Sequence, residues 1–276
     1  MTGERLTNRA RLVAVAVSTH SMEDKYILRL KDFGIDLSQN IHPVSKEFNK
    51  VKSINNPSFE KCYEHLILML LLHLCILEKK VNKDDFKTIL KNLKKTDISF
   101  WGVRFELYWY YMLLSNKSDS ISNLRRGKPG TEADFVFNYQ EDTYSVETTS
   151  LTFDDKSSKK NPVLKIRAKI SEKAKKQYAD LSCILVIDIS NLYFYGILKS
   201  SVNSLINDVF NNLHTKFGAV LLSYSYHTNK DINPSFTNNV FSWLNKQGHK
   251  NTEMLLNKFL TLEQEQKNEK IYFKLN

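Results

Sequence analysis

The chain has 276 residues, enough for one large domain or two modest ones, and a hydrophobic content of 42% that is ordinary for a globular protein. Lys and Arg number 40 against 30 Asp and Glu, giving a formal net charge of +10 and a pI near 9.3. This excess favours a polyanionic partner, nucleic acid or an acidic membrane surface, in even balance with a Lys-rich solvated face. Cys62, Cys75 and Cys183 have no paired spacing, which argues against a disulfide framework or a zinc cluster and for a reducing compartment, the cytoplasm.

Residues 1–21 differ from the rest of the chain. Arg5, Arg9 and Arg11 crowd a sequence that otherwise prefers Lys, and Val13-Ala14-Val15-Ala16-Val17 has no counterpart downstream. The segment reads as an added leader with Met22 as the natural start, the alternative being an Arg-rich arm that touches nucleic acid. Residues 22–96 form a helical N-terminal region. Glu60 to Lys80 carries a nearly continuous apolar face, and Phe86, Ile89, Leu90 and Leu93 repeat at helical spacing. The apolar run Leu66 to Leu77 is about twelve residues, short of the roughly twenty a membrane helix needs, so it is expected to be a buried core helix and no membrane partner is expected. Asn40 to Pro57 has loop composition. No chemical motif lies here, which leaves scaffolding, docking or target selection as its task.

Thr96-Asp97 is a helix-start signal that opens a second domain, 97–276. Phe100 to Leu114 reads as an aromatic-rich helix and Ser115 to Gly130 as a polar connection. Ala133 to Tyr139 and Tyr144 to Thr149 alternate as strands of a hairpin around Gln140-Glu141-Asp142. A charged loop, Asp154 to Asn161, precedes a helix from Val163 to about Tyr178. A buried strand (Cys183 to Ile189), a helix (Val202 to Leu213) and a further strand (Ala219 to Tyr224) come next. Beyond Thr228 lie a loop, helical patches near Val240 and Met254, and a last strand at Ile271 to Lys274. The expected class is α/β, a mixed central sheet flanked by helices and preceded by the helical region.

Hairpin geometry directs attention to two acids. A turn between Gln140 and Glu141 sets Asp134 opposite Glu147, with Cβ atoms roughly 4.5–5.5 Å apart. A turn at Glu141-Asp142 sets Asp134 opposite Thr149 and keeps Glu147 on the same face, whereas an odd-length loop without a bulge separates the acids. Carboxylates that close raise one pKa unless a cation lies between them. They make a hard, oxygen-rich site suited to Mg²⁺ or Mn²⁺, ions that neutralise a phosphodiester and acidify a bound water. Glu106, an acid within Phe105-Glu106-Leu107-Tyr108-Trp109, offers a third carboxylate; the competing reading is a surface Glu on an amphipathic helix.

These residues carry a resemblance. Phe105-Glu106, Glu132-Ala133-Asp134-Phe135, Val146-Glu147-Thr148-Thr149 and Glu172-Lys173-Ala174-Lys175-Lys176-Gln177, in that order before an apolar strand, resemble the PD-(D/E)XK nuclease superfamily over about Phe100 to Ile189. Ala133 stands where a proline often precedes the aspartate, and Thr149 stands where the lysine usually does. Viral cap-snatching endonucleases show the same Glu-x-Thr form and take the lysine from the next helix, a position that Lys173 matches. The resemblance implies a restriction-endonuclease-like fold and a Mg²⁺- or Mn²⁺-dependent endonuclease. Glu106, Asp134 and Glu147 would be metal ligands, Lys173 the catalytic cation, and Thr149 and Gln177 supporting residues. DNA is expected ahead of RNA, and a homodimer is an expectation because cutting both strands often uses two active sites.

Helical spacing bears on Lys173 independently. At about 100° per residue, Ile166, Ile170, Ala174 and Gln177 form one stripe toward the sheet, with Lys173 at its border and its stem free to lie along apolar surface. Lys165, Lys169 and Lys176 fall on the more exposed flank as phosphate contacts or solvated charges. Arg125-Arg126-Gly127-Lys128 is either a phosphate grip or a solvated turn. His65 and His73 read as core histidines, and Trp101, Tyr108, Trp109, Tyr110 and Tyr111 as mainly core, with base stacking the alternative. The rival to a nuclease is a non-catalytic nucleic-acid-binding or assembly protein on the same fold, favoured by the missing hairpin lysine.

Overall fold

The computed structural model describes residues 22–37, 41–46, 57–95, 99–115, 121–151, 161–190, 192, 199–228, 235–248 and 251–257. Helices α1 (Met22–Asp32), α2 (Pro57–Lys80), α3 (Lys83–Leu93) and α4 (Ser99–Ser115) come first. In α2, Ile67, Leu70, Leu71, Leu74 and Leu77 are buried at the three- and four-residue spacing of one helix face. No helix among the described residues is long and apolar enough to cross a membrane. In α3, the Asn82 side chain accepts from the Asp85 amide, and Asp84 and Asp85 lie in the positive first turn. The leader, the Thr96-Asp97 start signal, the loop 154–160 and the strand expected at 271–274 fall outside the described residues.

Six strands complete the chain order: β1 (Ile121–Arg126), β2 (Phe135–Tyr139), β3 (Asp142–Ser150), β4 (Cys183–Asp188), β5 (Ala219–Thr228) and β6 (Ser235–Leu244). They form one mixed sheet in sequence order, with β3, β4 and β5 parallel and the other neighbours antiparallel. Helix α5 (Pro162–Lys173) joins β3 to β4, and α6 (Lys199–Phe210) joins β4 to β5. One face of the sheet, with Phe135, Phe137, Val146 and Ile184, packs on α4 and the earlier helices; the other, with Leu185, Ile187 and Val220, packs on α5 and α6. β4 is buried at every position, as a central parallel strand covered on both faces must be. The α/β class is as expected.

Several elements differ from the sequence expectation. β1 occupies the stretch read as a polar connection. It is an edge strand with Ile121 its one buried residue and a bulge between Ser122 and Arg125, where Asn123 takes a left-handed φ of 51°, so its apolar alternation is absent. β6 replaces the helical patch near Val240. Val240 packs on one face and Phe241 and Trp243 on the other, an alternation that the adjoining Asn238-Asn239 conceals. The patch near Met254 is a short helix, 252–257. α5 ends at Lys173, capped by Ala174, so Ala174 and Gln177 continue no helical stripe. α6 ends at Phe210, where Arg167 of α5 donates to the Asp208, Val209 and Asn211 carbonyls and satisfies acceptors the helix end leaves open.

Candidate active site

The β2–β3 hairpin closes with Tyr139 paired to Asp142, leaving Gln140 and Glu141 as a two-residue turn. Gln140 takes φ 55°, the positive value that a type II′ turn requires at its first position. The ladder runs out to Phe135 paired with Val146, so the next residues outward are Asp134 and Glu147. This is the first of the two registers that bring the acids together. At the other end of the β1–β2 connection, the Gly127 amide donates to the Asp134 carbonyl at 2.9 Å. A Cβ on Gly127 would lie 1.7 Å from the Ala133 carbonyl oxygen, so this close approach of two backbones requires glycine.

Each acid has its own partner. Asp134 Oδ2 accepts from the Thr148 amide at 2.8 Å and from the Thr148 hydroxyl at 2.7 Å. Glu147, 4% exposed, accepts from the Lys173 ammonium at the end of α5, and the half-buried Tyr178 lies close enough to feel its charge. Glu106, carried on α4 between the buried Phe105 and Leu107, accepts from the Arg126 guanidinium of β1. Glu106 and Arg126 also line a narrow crevice with Ile89, Val103 and Tyr110.

The acids feel one another. Burial first, then the Asp134 charge, raises Glu106 from 4.5 to about 7, opposed by Arg126 and reinforced by Glu147. Burial, then Asp134, also raises Glu147, opposed by Lys173 and Tyr178. Burial and the Glu147 charge raise the Tyr178 phenol, which therefore stays protonated as a donor. Carboxylates far apart along the chain thus share one electrostatic environment. As the side chains lie, however, no three Asp, Glu, His or Cys groups among the described residues are arranged to hold a metal ion. In donor chemistry the three carboxylates suit a hard cation, and mutual repulsion gives them reason to accept one. Holding it would require them to turn from their present partners.

The remaining candidates divide. Lys173 reaches Glu147, as its place at the stripe's border implied. Thr149 is half-buried in register with Ile187, and the hydroxyl engaged with an acid belongs instead to Thr148. Gln177 is exposed and donates to the Thr131 carbonyl at 3.3 Å, since the chain has left the helix by then. Arg125 is clamped by both oxygens of Glu132, which also accepts from the Lys128 amide and is held at about 2, well below the usual range. Arg125 therefore ties the β1–β2 loop, whereas Arg126, on the opposite face, turns inward to the acids. Lys128 and Lys176 are exposed, Lys165 is half-buried, and Lys169 pairs with Glu172 at 2.6 Å. His73 is buried and stacks on Tyr111; Trp109 and Tyr110 are buried, while Trp101 and Tyr108 are half-buried. Burial pushes the Cys183 thiol up to about 12, which removes it as a nucleophile.

Arg126, Thr148 and Tyr178 were not foreseen at the acids. The two-residue register contained a signal for Thr148, because it places the Thr148 amide next to the residue facing Asp134. Tyr178 lies after a helix end that periodicity did not mark. No family model, no curated protein and no solved structure matches the chain.

Proposed function

We propose that the protein is a divalent-metal-dependent nuclease that hydrolyses phosphodiester bonds, with DNA favoured over RNA. The observation that carries this reading is the hairpin register that sets Asp134 opposite Glu147, with Glu147 accepting from the Lys173 ammonium and the charges of both acids felt at Glu106. Glu106, Asp134 and Glu147 would hold Mg²⁺ or Mn²⁺, which supplies an acidified water and neutralises phosphate charge. Lys173 is suited to orient the attacking water or to stabilise the added charge of the transition state. Thr148 fixes the orientation of Asp134 through its amide and hydroxyl, and Lys173 holds Glu147. Further support comes from the order of acids along a helix, hairpin strands, helix and buried strand, the order on which the PD-(D/E)XK resemblance rests, here with β1 as an additional strand.

The second reading is a non-catalytic nucleic-acid-binding or assembly protein. It is favoured by the pairing of two of the three acids with cations, an arrangement that is stable without any metal. Cleavage of plasmid DNA and of single-stranded RNA in Mn²⁺ separates the two. The nuclease reading expects cutting by the parent and loss of at least about 100-fold in Glu147→Ala and Lys173→Ala, the scale of removing a group that stabilises a transition state. A parent with no cleavage of either substrate, or equal cleavage by all three proteins, overturns it.

A further inference from the structure

We propose that Arg126 is a phosphate-binding residue held in reserve: Glu106 and a backbone phosphate of bound nucleic acid are alternative partners of its guanidinium, exchanged when Glu106 is recruited as a metal ligand. This rests on the nuclease reading and deepens it. The three basic side chains of the β1–β2 loop differ in their engagements. Arg125 is saturated by a bidentate Glu132, and Lys128 is exposed at the loop. Arg126 alone among them reaches Glu106. Its side chain is 20% exposed and that of Glu106 18%, so the pair is largely shielded and keeps one edge in solvent. Guanidinium binds carboxylate and phosphate through the same fork of donors, which makes the exchange chemically even. A carboxylate drawn into metal binding gives up charge that Arg126 now neutralises, and leaves the guanidinium in need of another anion. β1 is an edge strand, so among the described residues no further strand lies beyond Arg126.

The exchange predicts a coupling that can be read without cleavage. Binding of a fluorescein-labelled 20-base-pair DNA duplex is measured by anisotropy for the parent, Arg126→Met, Glu106→Gln and the double variant, in EDTA and in Ca²⁺. In EDTA, Glu106→Gln frees the guanidinium and tightens binding about tenfold, one strong charge-assisted contact. The gain vanishes in the double variant. In Ca²⁺, Arg126→Met lowers the slope of log affinity against log salt by about one, one phosphate contact fewer, and in EDTA it leaves the slope unchanged. A Glu106→Gln gain that persists without Arg126, or a slope change of equal size in both conditions, overturns the assignment while leaving the nuclease reading intact. A parent that binds no duplex in either condition overturns this assignment, while the nuclease reading is decided by the cleavage of plasmid DNA and single-stranded RNA. Should Arg126→Met not fold, the Arg126 Nε–H resonance of ¹⁵N-arginine-labelled parent decides: it shifts on adding duplex with Ca²⁺, and an unmoved resonance overturns the proposal.

Discussion

Glu106 holds its proton across a range in which an unfolded chain has lost it. Its folded pKa is about 7 against an ordinary 4.5, so between those values the folded state binds more protons than the unfolded state. Stability therefore declines as pH rises through that window and levels off above it. Glu147, raised in the same direction, adds to the decline. Urea unfolding from pH 4.5 to 8 is expected to show this slope in the parent and a shallower one in Glu106→Gln; identical slopes would mean that Glu106 is not the titrating group. A metal ligand must be ionised, so under the proposed function Mn²⁺ affinity should rise with pH up to about 7, which calorimetry across that range measures. At this scale the sequence named the acids because Asp134 and Glu147 follow from hairpin arithmetic and Glu106 is an acid in apolar surroundings. It named Arg126 as a phosphate grip or a solvated turn and not as the partner of Glu106, because a basic residue before a Gly-Lys-Pro-Gly turn looks the same whether it points to solvent or inward.

Between β1 and β2, Gly127 joins Arg126 to the backbone opposite Ala133 and Asp134. Gly127→Ala would drive a Cβ into a main-chain carbonyl, which cannot rotate aside. The substitution is expected to cost at least about 2 kcal/mol and to misplace both Arg126 and Asp134, with the proposed cleavage reduced more than stability alone explains. Gly102 in α4 is the contrasting case, with nothing within 4 Å of an added Cβ. Gly102→Ala is expected to stabilise by up to about 1 kcal/mol, the helix-propensity difference. Thermal unfolding of the two variants tests the opposite signs, and a stabilised Gly127→Ala would refute the close-packing account. Elements with strong apolar periodicity, α2, α3 and β4, were legible in the sequence. β1 and β6 were not, since an edge strand owes its place to pairing and needs little apolar pattern of its own.

For the molecule as a whole, a ligand that binds only the folded state raises stability by mass action. Mn²⁺ at 100 times its dissociation constant should add about 2.7 kcal/mol, an increase absent in Asp134→Ala. Denaturant titration with and without Mn²⁺ measures it, and equal gains in both proteins would remove Asp134 from the proposed metal site. The sheet has two buried faces, and the side that α4 covers shares one continuous core with α1, α2 and α3. By itself, the sequence determined the α/β class, the central buried strand and the acids worth following, because these depend on local periodicity and turn length; the hairpin register was chosen among its alternatives only by the pairing of β2 with β3. Tertiary structure alone decided that Arg126 faces Glu106, that Thr148 rather than Thr149 holds Asp134, and that α5 stops at the lysine reaching Glu147. Those contacts join residues far apart in the chain, and their geometry is set by how sheet and helices pack, which no local pattern encodes.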